Sequence, residues 1–263
     1  MFLLATPSLL LPQGNGDSTQ VVAFFGLFAG ALTFSEYASA YPGLVEFRYA
    51  PPFNRIRFIS LFLSVFLITI ICAAPSNPTP LASFVRSVGT VIGEAIDVPY
   101  SPVRLITLML PAGTPAAHVA LVRTAAGMAY LISLLSLSVF VIVLKVFGWP
   151  SRLGAFNVWV NLPTFDPTVG GDVVARLERD ARLNIALGFL LPFVIPAVVK
   201  TAAAGFQPVT LSSPQTLIWT VSAWAFLPSS LFMRGIAMGR IADMIREKRR
   251  QNRAAEAASL LIA

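Results

Sequence analysis

Five blocks of apolar residues, each long enough to cross a bilayer as a helix, dominate the chain and exclude most ways of folding it. A helix needs about 20 apolar residues to traverse the hydrocarbon core, with a usable range of about 17 to 25. The blocks run from about Thr19 to Tyr41, Arg57 to Ala74, Thr124 to Leu144, Leu183 to Val199 and Leu211 to Met233. Only 12% of the 263 residues are charged, against about 25% in an ordinary soluble domain. The apolar residues come in blocks and not in strand-like alternation, which predicts an all-α, polytopic membrane helical bundle. Its expected divisions are one membrane-embedded unit over residues 1–240 and a basic tail over 241–263.

Basic residues distribute unevenly over this layout. Fifteen of the 19 Lys and Arg residues fall on one side and four, Arg86, Arg104, Arg123 and Lys200, on the other. Basic residues near span ends are retained in the cytoplasm, so the N-terminus is expected outside and the C-terminus inside. A bacterial inner membrane is the working setting. The net charge of +7 follows the span ends and forms no stripe of the kind that tracks nucleic acid, so the lipid bilayer is the expected partner and nucleic acid is not. Tyr37, Tyr41 and Tyr49, with Trp149, Trp159, Trp219 and Trp224, read as interface anchors. The opening Met1 to Leu11 is apolar, lacks a basic start and reads as a retained tail.

Two segments between spans have their own periodicity. After Pro75, Pro78 and Pro80, residues Leu81, Phe84, Val85, Val88, Ile92 and Ile96 share one helical face, with Ser83, Arg86, Ser87, Thr90, Glu94 and Asp97 opposite. This predicts an amphipathic outer helix, followed by a short apolar piece from Val103 to Leu110. Before the fourth span, Asp172 is the expected N-cap of a charged helix, in which Arg176 with Asp180 and Glu178 with Arg182 have pairing spacing. The tail from Arg240 to Arg253 predicts a basic helix, with Arg246, Lys248, Arg249, Arg250 and Arg253 as candidate lipid-headgroup contacts.

Signatures of chemistry are sparse. His118 is the sole histidine and Cys72 the sole cysteine, which rules out a disulfide within the chain, multi-histidine zinc sites and a Ser/His/Asp triad built on any other histidine. No phosphate-binding glycine loop or nucleophile elbow occurs. No catalytic residue, metal site or cofactor is therefore predicted. Glu36, inside the first span, is the candidate intramembrane ionisable group, to be paired with Arg55 or Arg57 at the interface or to carry protons or ions. Gly26 with Gly30, Gly89 with Gly93, and Gly235 with Gly239 are four apart and allow close helix approach, within the chain or to another subunit.

The expected function is that of a non-catalytic subunit, scaffold or assembly factor of a membrane complex, with other membrane proteins as partners. A transporter or channel component is the second reading, resting on Glu36 and on Pro192, Pro196 and Pro228 in the fourth and fifth spans. A membrane enzyme for lipid or isoprenoid substrates is the third, with Asn161, Asp166, Asp172, Arg176 and Asp180 as its only available cluster.

Overall fold

A computed structural model describes residues 1–11, 16–41, 43–150, 157–166, 168, 170–203 and 211–262, with the backbone alone at 16–19, 158, 159, 259, 261 and 262. The protein is all-helical, in the order α1 (Phe2–Leu10), α2 (Gly16–Ala38), α3 (Phe53–Ala73), α4 (Pro80–Ile96), α5 (Pro102–Leu108), α6 (Ala116–Val146), α7 (Val158–Asn161), α8 (Val173–Ala202) and α9 (Pro214–Ile262). Helices α2, α3, α6, α8 and α9 are long and apolar enough to cross a membrane, so the protein is a multi-pass membrane protein.

Local chemistry sets the helix starts. Thr79 and Ser101 cap α4 and α5 through hydroxyls that accept from the N–H groups of Ala82 at 3.1 Å and Arg104 at 3.0 Å, and each is followed by a proline at the first helical position. Asp172 caps α8 as its position predicts, accepting from the Ala175 N–H at 3.2 Å.

Glycine contacts set the helix pairing. At Gly235 a methyl group would stand 2.7 Å from the Ala181 carbonyl oxygen, and at Gly188 it would stand 2.7 Å from the Pro228 carbonyl oxygen. As α8 advances α9 therefore retreats, and the two form a tight antiparallel pair. Gly93 packs in the same way on Arg123 and Thr124, and Gly89 on Thr124 and Met128, which lays α4 antiparallel along α6. Gly26 and Gly30 instead face Met1, and Gly239 is the loosest of the six, with the Ala181 Cβ at 3.9 Å.

Two apolar clusters mark the two ends of the bundle. One joins Phe53 of α3, Phe140 and Leu144 of α6, Leu177 and Ala181 of α8 and Ile241 of α9 with Phe47, Trp149, Leu162 and Phe165 from the connecting loops. The other joins Val65 and Ile68, the short helix α5 through Val103 and Ile106, Val122, and Leu217, Ile218 and Trp224. The basic ends of α3, α6, α8 and α9 thus gather around the first cluster, hereafter the arginine-rich end.

Several expectations change in detail. The side of α4 that meets the bundle is Ala82, Val85, Gly89 and Gly93, while Leu81, Phe84 and Val91 remain exposed. Small residues take the closest approach because backbone contact requires them; Val88, Ile92 and Ile96 pack partly buried beside them, and Leu81 and Phe84 are left facing outward. Trp149 and Trp224 are 4% and 3% exposed, so neither anchors an interface; Tyr37, Tyr41 and Tyr49 are exposed, and the Trp159 side chain lies outside the described residues. Glu178 pairs across to Arg246 of α9 in place of Arg182. Finally, α9 runs unbroken past residue 240, with Ile241 and Ala242 fully buried, so the basic tail grows directly out of the core.

Helix α2 differs from the other spans. Only 6% of its apolar window is buried, against 17 to 56% for the rest, and it meets the bundle chiefly through α1, which packs in turn on α3. Phe24, Phe25, Phe28 and Phe34 all stand exposed on it.

Candidate functional site

The polar groups of the arginine-rich end converge on Glu46, in the connection between α2 and α3. Its carboxylate accepts from Arg234 of α9 twice, from Nε at 2.7 Å and Nη2 at 2.8 Å, and from the Thr164 hydroxyl at 2.7 Å. Its carbonyl accepts from the Asn54 side chain at 2.7 Å. The guanidinium of Arg57 lies nearby, 4.9 Å from the Phe53 ring centre and 5.9 Å from that of Phe226. Two-point guanidinium pairing with a carboxylate fixes geometry as well as charge. Burial pushes the Glu46 carboxyl up, but hydrogen bonds from Arg234 and Thr164 and the charges of Arg234 and Arg57 outweigh it and hold it below its ordinary value.

A second latch ties the same loop to the connection before α8. The Asn161 carbonyl accepts from the Phe47 N–H at 2.6 Å, and its side-chain oxygen accepts from the Tyr49 N–H at 3.0 Å. Phe47 has φ 55°, a left-handed conformation that costs a non-glycine residue about 1 to 3 kcal/mol unless its surroundings impose it. Here they do, because Phe47 is 1% exposed and its ring packs 4.2 Å from that of Phe53.

Glu36 lies at the end of α2 and touches neither Arg55 nor Arg57. Its Oε2 accepts from the backbone N–H groups of Gly43, Leu44 and Val45 at 3.0, 2.9 and 3.1 Å. Arg48 completes the turn by donating to the carbonyls of Glu36 and Ser39, each at 2.6 Å, where the unsatisfied carbonyls and negative pole of α2 favour a cation. The carboxylate is thereby built into a loop.

The residues nominated for a lipid-active enzyme are not brought together around one point. Asn161 is the latch just described, and Asp166 accepts from the N–H and hydroxyl of Thr168 at 2.8 and 2.6 Å. Arg176 donates to the Asp166 carbonyl at 2.8 Å and lies over the Phe165 ring, while Asp180 lies 3.7 Å from Arg179. Asp172 binds Arg249 at 2.6 Å; that hydrogen bond, with those from the Ala175 and Val174 N–H groups, holds its carboxyl below the ordinary value against the opposing effect of burial. No group of three or more His, Cys, Asp or Glu side chains placed to hold a metal occurs among the described residues. His118 sits half-buried in the first turn of α6.

Beyond Arg234, α8 and α9 continue side by side and flank two open grooves. One, of about 370 Å³, lies beside Gly235 and Gly239. The other, of about 260 Å³, is lined by Asp172, Val174, Arg246, Arg249, Arg250 and Arg253. At the opposite end Asp97, at the close of α4, pairs with Arg123 at 2.7 Å and Arg104 at 3.3 Å and so ties α4, α5 and α6 together.

Sequence reasoning missed Glu46, Arg48 and Arg234. Glu46 and Arg234 are 188 residues apart, so no local spacing joins them. The usable signal was a lone acidic residue between two spans, with Arg48, Arg55 and Arg57 as the only other charged residues around it. Comparison with protein-family models, curated proteins and solved structures finds no match to the chain.

Proposed function

We propose that the protein is a non-catalytic subunit or assembly scaffold of a membrane complex, and that α2 is the helix it offers to a neighbouring membrane protein. The exposure of α2 carries this reading. A span held mainly through α1, with Phe24, Phe25, Phe28 and Phe34 turned outward, contributes little to its own bundle. Aromatic side chains give large contact area at low entropic cost, as interface anchors do. The ionisable groups support the same view, because Glu36 and Glu46 are engaged in holding loops and helices together.

The setting we propose is a bacterial inner membrane with the arginine-rich end in the cytoplasm, for which the 15-to-4 distribution of basic residues is the support. Photo-crosslinking residues placed at Phe24 and Phe28 in the native membrane test the assembly role. Adducts to one or a few defined membrane proteins are the expected result; adducts to lipid alone overturn it. Protease accessibility of a tag at each terminus tests the orientation.

A further inference from the structure

The groove at the far end of the α8 and α9 pair has four arginines and one carboxylate in its lining, so it is positively charged as a whole. Its distance from the membrane decides what can reach it. The charge-free stretch of α9 ends at Met233, and Gly235 packs level with Ala181 and Ile185, so the charge-free stretches of both helices end at the same height. Arg246 follows Arg234 by twelve residues and Arg253 by nineteen, which at 1.5 Å per residue is about 18 and 28 Å along the helix. The headgroup layer adds only about 5 to 8 Å beyond the hydrocarbon. Attraction between exposed charges fades over about 8 Å at physiological salt. With α9 upright in the bilayer, the headgroup contacts expected for Arg246, Arg249, Arg250 and Arg253 would lie out of reach, and the groove would open to water.

Carboxylates already fit this surface. Asp172 binds Arg249 at 2.6 Å, Glu178 binds Arg246, and Glu247 pairs with Arg250 at 2.9 Å, while Arg253 makes no ion pair among the described residues. Nucleic acid fits less well, because no aromatic ring lines the groove to stack a base and its volume admits a few side chains only. We infer that this groove is a docking surface for an acidic segment of a water-soluble protein or protein domain, held by charge-assisted pairs to Arg250 and Arg253. This contact is separate from the one proposed for α2 and stands without it.

The full-length protein in nanodiscs of zwitterionic lipid, titrated with a fluorescent glutamate-rich peptide, tests the inference. Saturable binding is expected, weakened about tenfold or more by R250Q/R253Q through loss of charge-assisted hydrogen bonds and unchanged by R55Q at the same end. Equal binding by R250Q/R253Q and the parent protein overturns it. So does tighter binding of an oligonucleotide of equal charge with the same dependence on Arg250 and Arg253, or shielding of a thiol label at position 253 (R253C in a C72S background) by anionic lipid in the disc. Should R250Q/R253Q lose helix content, protection of that label by the peptide in zwitterionic discs gives the same discrimination, and its absence counts against the groove.

Discussion

The indole nitrogen of Trp224 lies 3.0 Å from the carbonyl oxygen of Pro192. That carbonyl would bond the N–H of residue 196 in a regular helix, but residue 196 is a proline and has none. Trp224 of α9 supplies the missing donor from across the helix pair, and the ring stacks on Tyr130 with centroids 5.9 Å apart. A break in α8 is thus repaired by its neighbour, as buried backbone in an apolar medium requires.

W224F keeps an aromatic ring but removes the donor and part of the indole volume, so it should destabilise the protein by at least about 1 to 3 kcal/mol, the cost of an unsatisfied buried acceptor. P196A restores a backbone N–H to the same carbonyl. The W224F/P196A protein should therefore lose less than W224F alone, measured by thermal unfolding in detergent. Equal losses in the two would show that an unpaired Pro192 carbonyl is not what W224F costs.

Removal of Arg234 should be costly. R234A leaves the 11%-exposed Glu46 carboxylate without its two-point partner, which predicts about 3 to 5 kcal/mol of destabilisation. E46Q should cost less, because the amide still accepts one bond from the guanidinium. Glu46 titrates below its unfolded value near 4.5, so its contribution is present above that value and is lost as pH falls through the lower, folded one. The acid side of a stability profile should accordingly be flatter in E46Q than in the parent protein.

Much of this was readable beforehand, and what was not has a physical cause. Five spans follow from hydropathy because bilayer thickness imposes a length on every one of them. The Asp172 cap follows because capping is local. Trp224 was read as an interface anchor because its partner is a proline carbonyl 32 residues away. The expected face of α4 holds at Val85, Val88, Ile92 and Ile96 and fails at Leu81 and Phe84, because hydropathy ranks those two above Gly89 and Gly93, whereas close packing on α6 selects the glycines.

That packing gives a direct test. In G93A the new methyl would stand 2.8 Å from the Arg123 carbonyl oxygen, and the backbone of α6 cannot yield cheaply. Destabilisation by about 1 to 3 kcal/mol is expected. G170A, where nothing lies within 4 Å, should remain within about 0.5 kcal/mol of the parent.

For Glu36, E36Q should leave the fold intact and speed amide hydrogen exchange at Gly43, Leu44 and Val45, whose N–H groups the carboxylate now accepts. Unchanged exchange at all three would remove its loop-holding role and return attention to ion movement.

The uninterrupted passage of α9 from the bilayer into water makes it a lever. Its fulcrum is the Glu46 clamp on Arg234, at the edge of the apolar stretch. A change of about 20° in the tilt of α9, carried together with α8 to which Arg246 and Arg249 bind it, would swing Arg253 sideways by about 10 Å. A small rearrangement among the spans would thereby be magnified at the far end of α9, and a partner held there would gain mechanical access to the membrane interior.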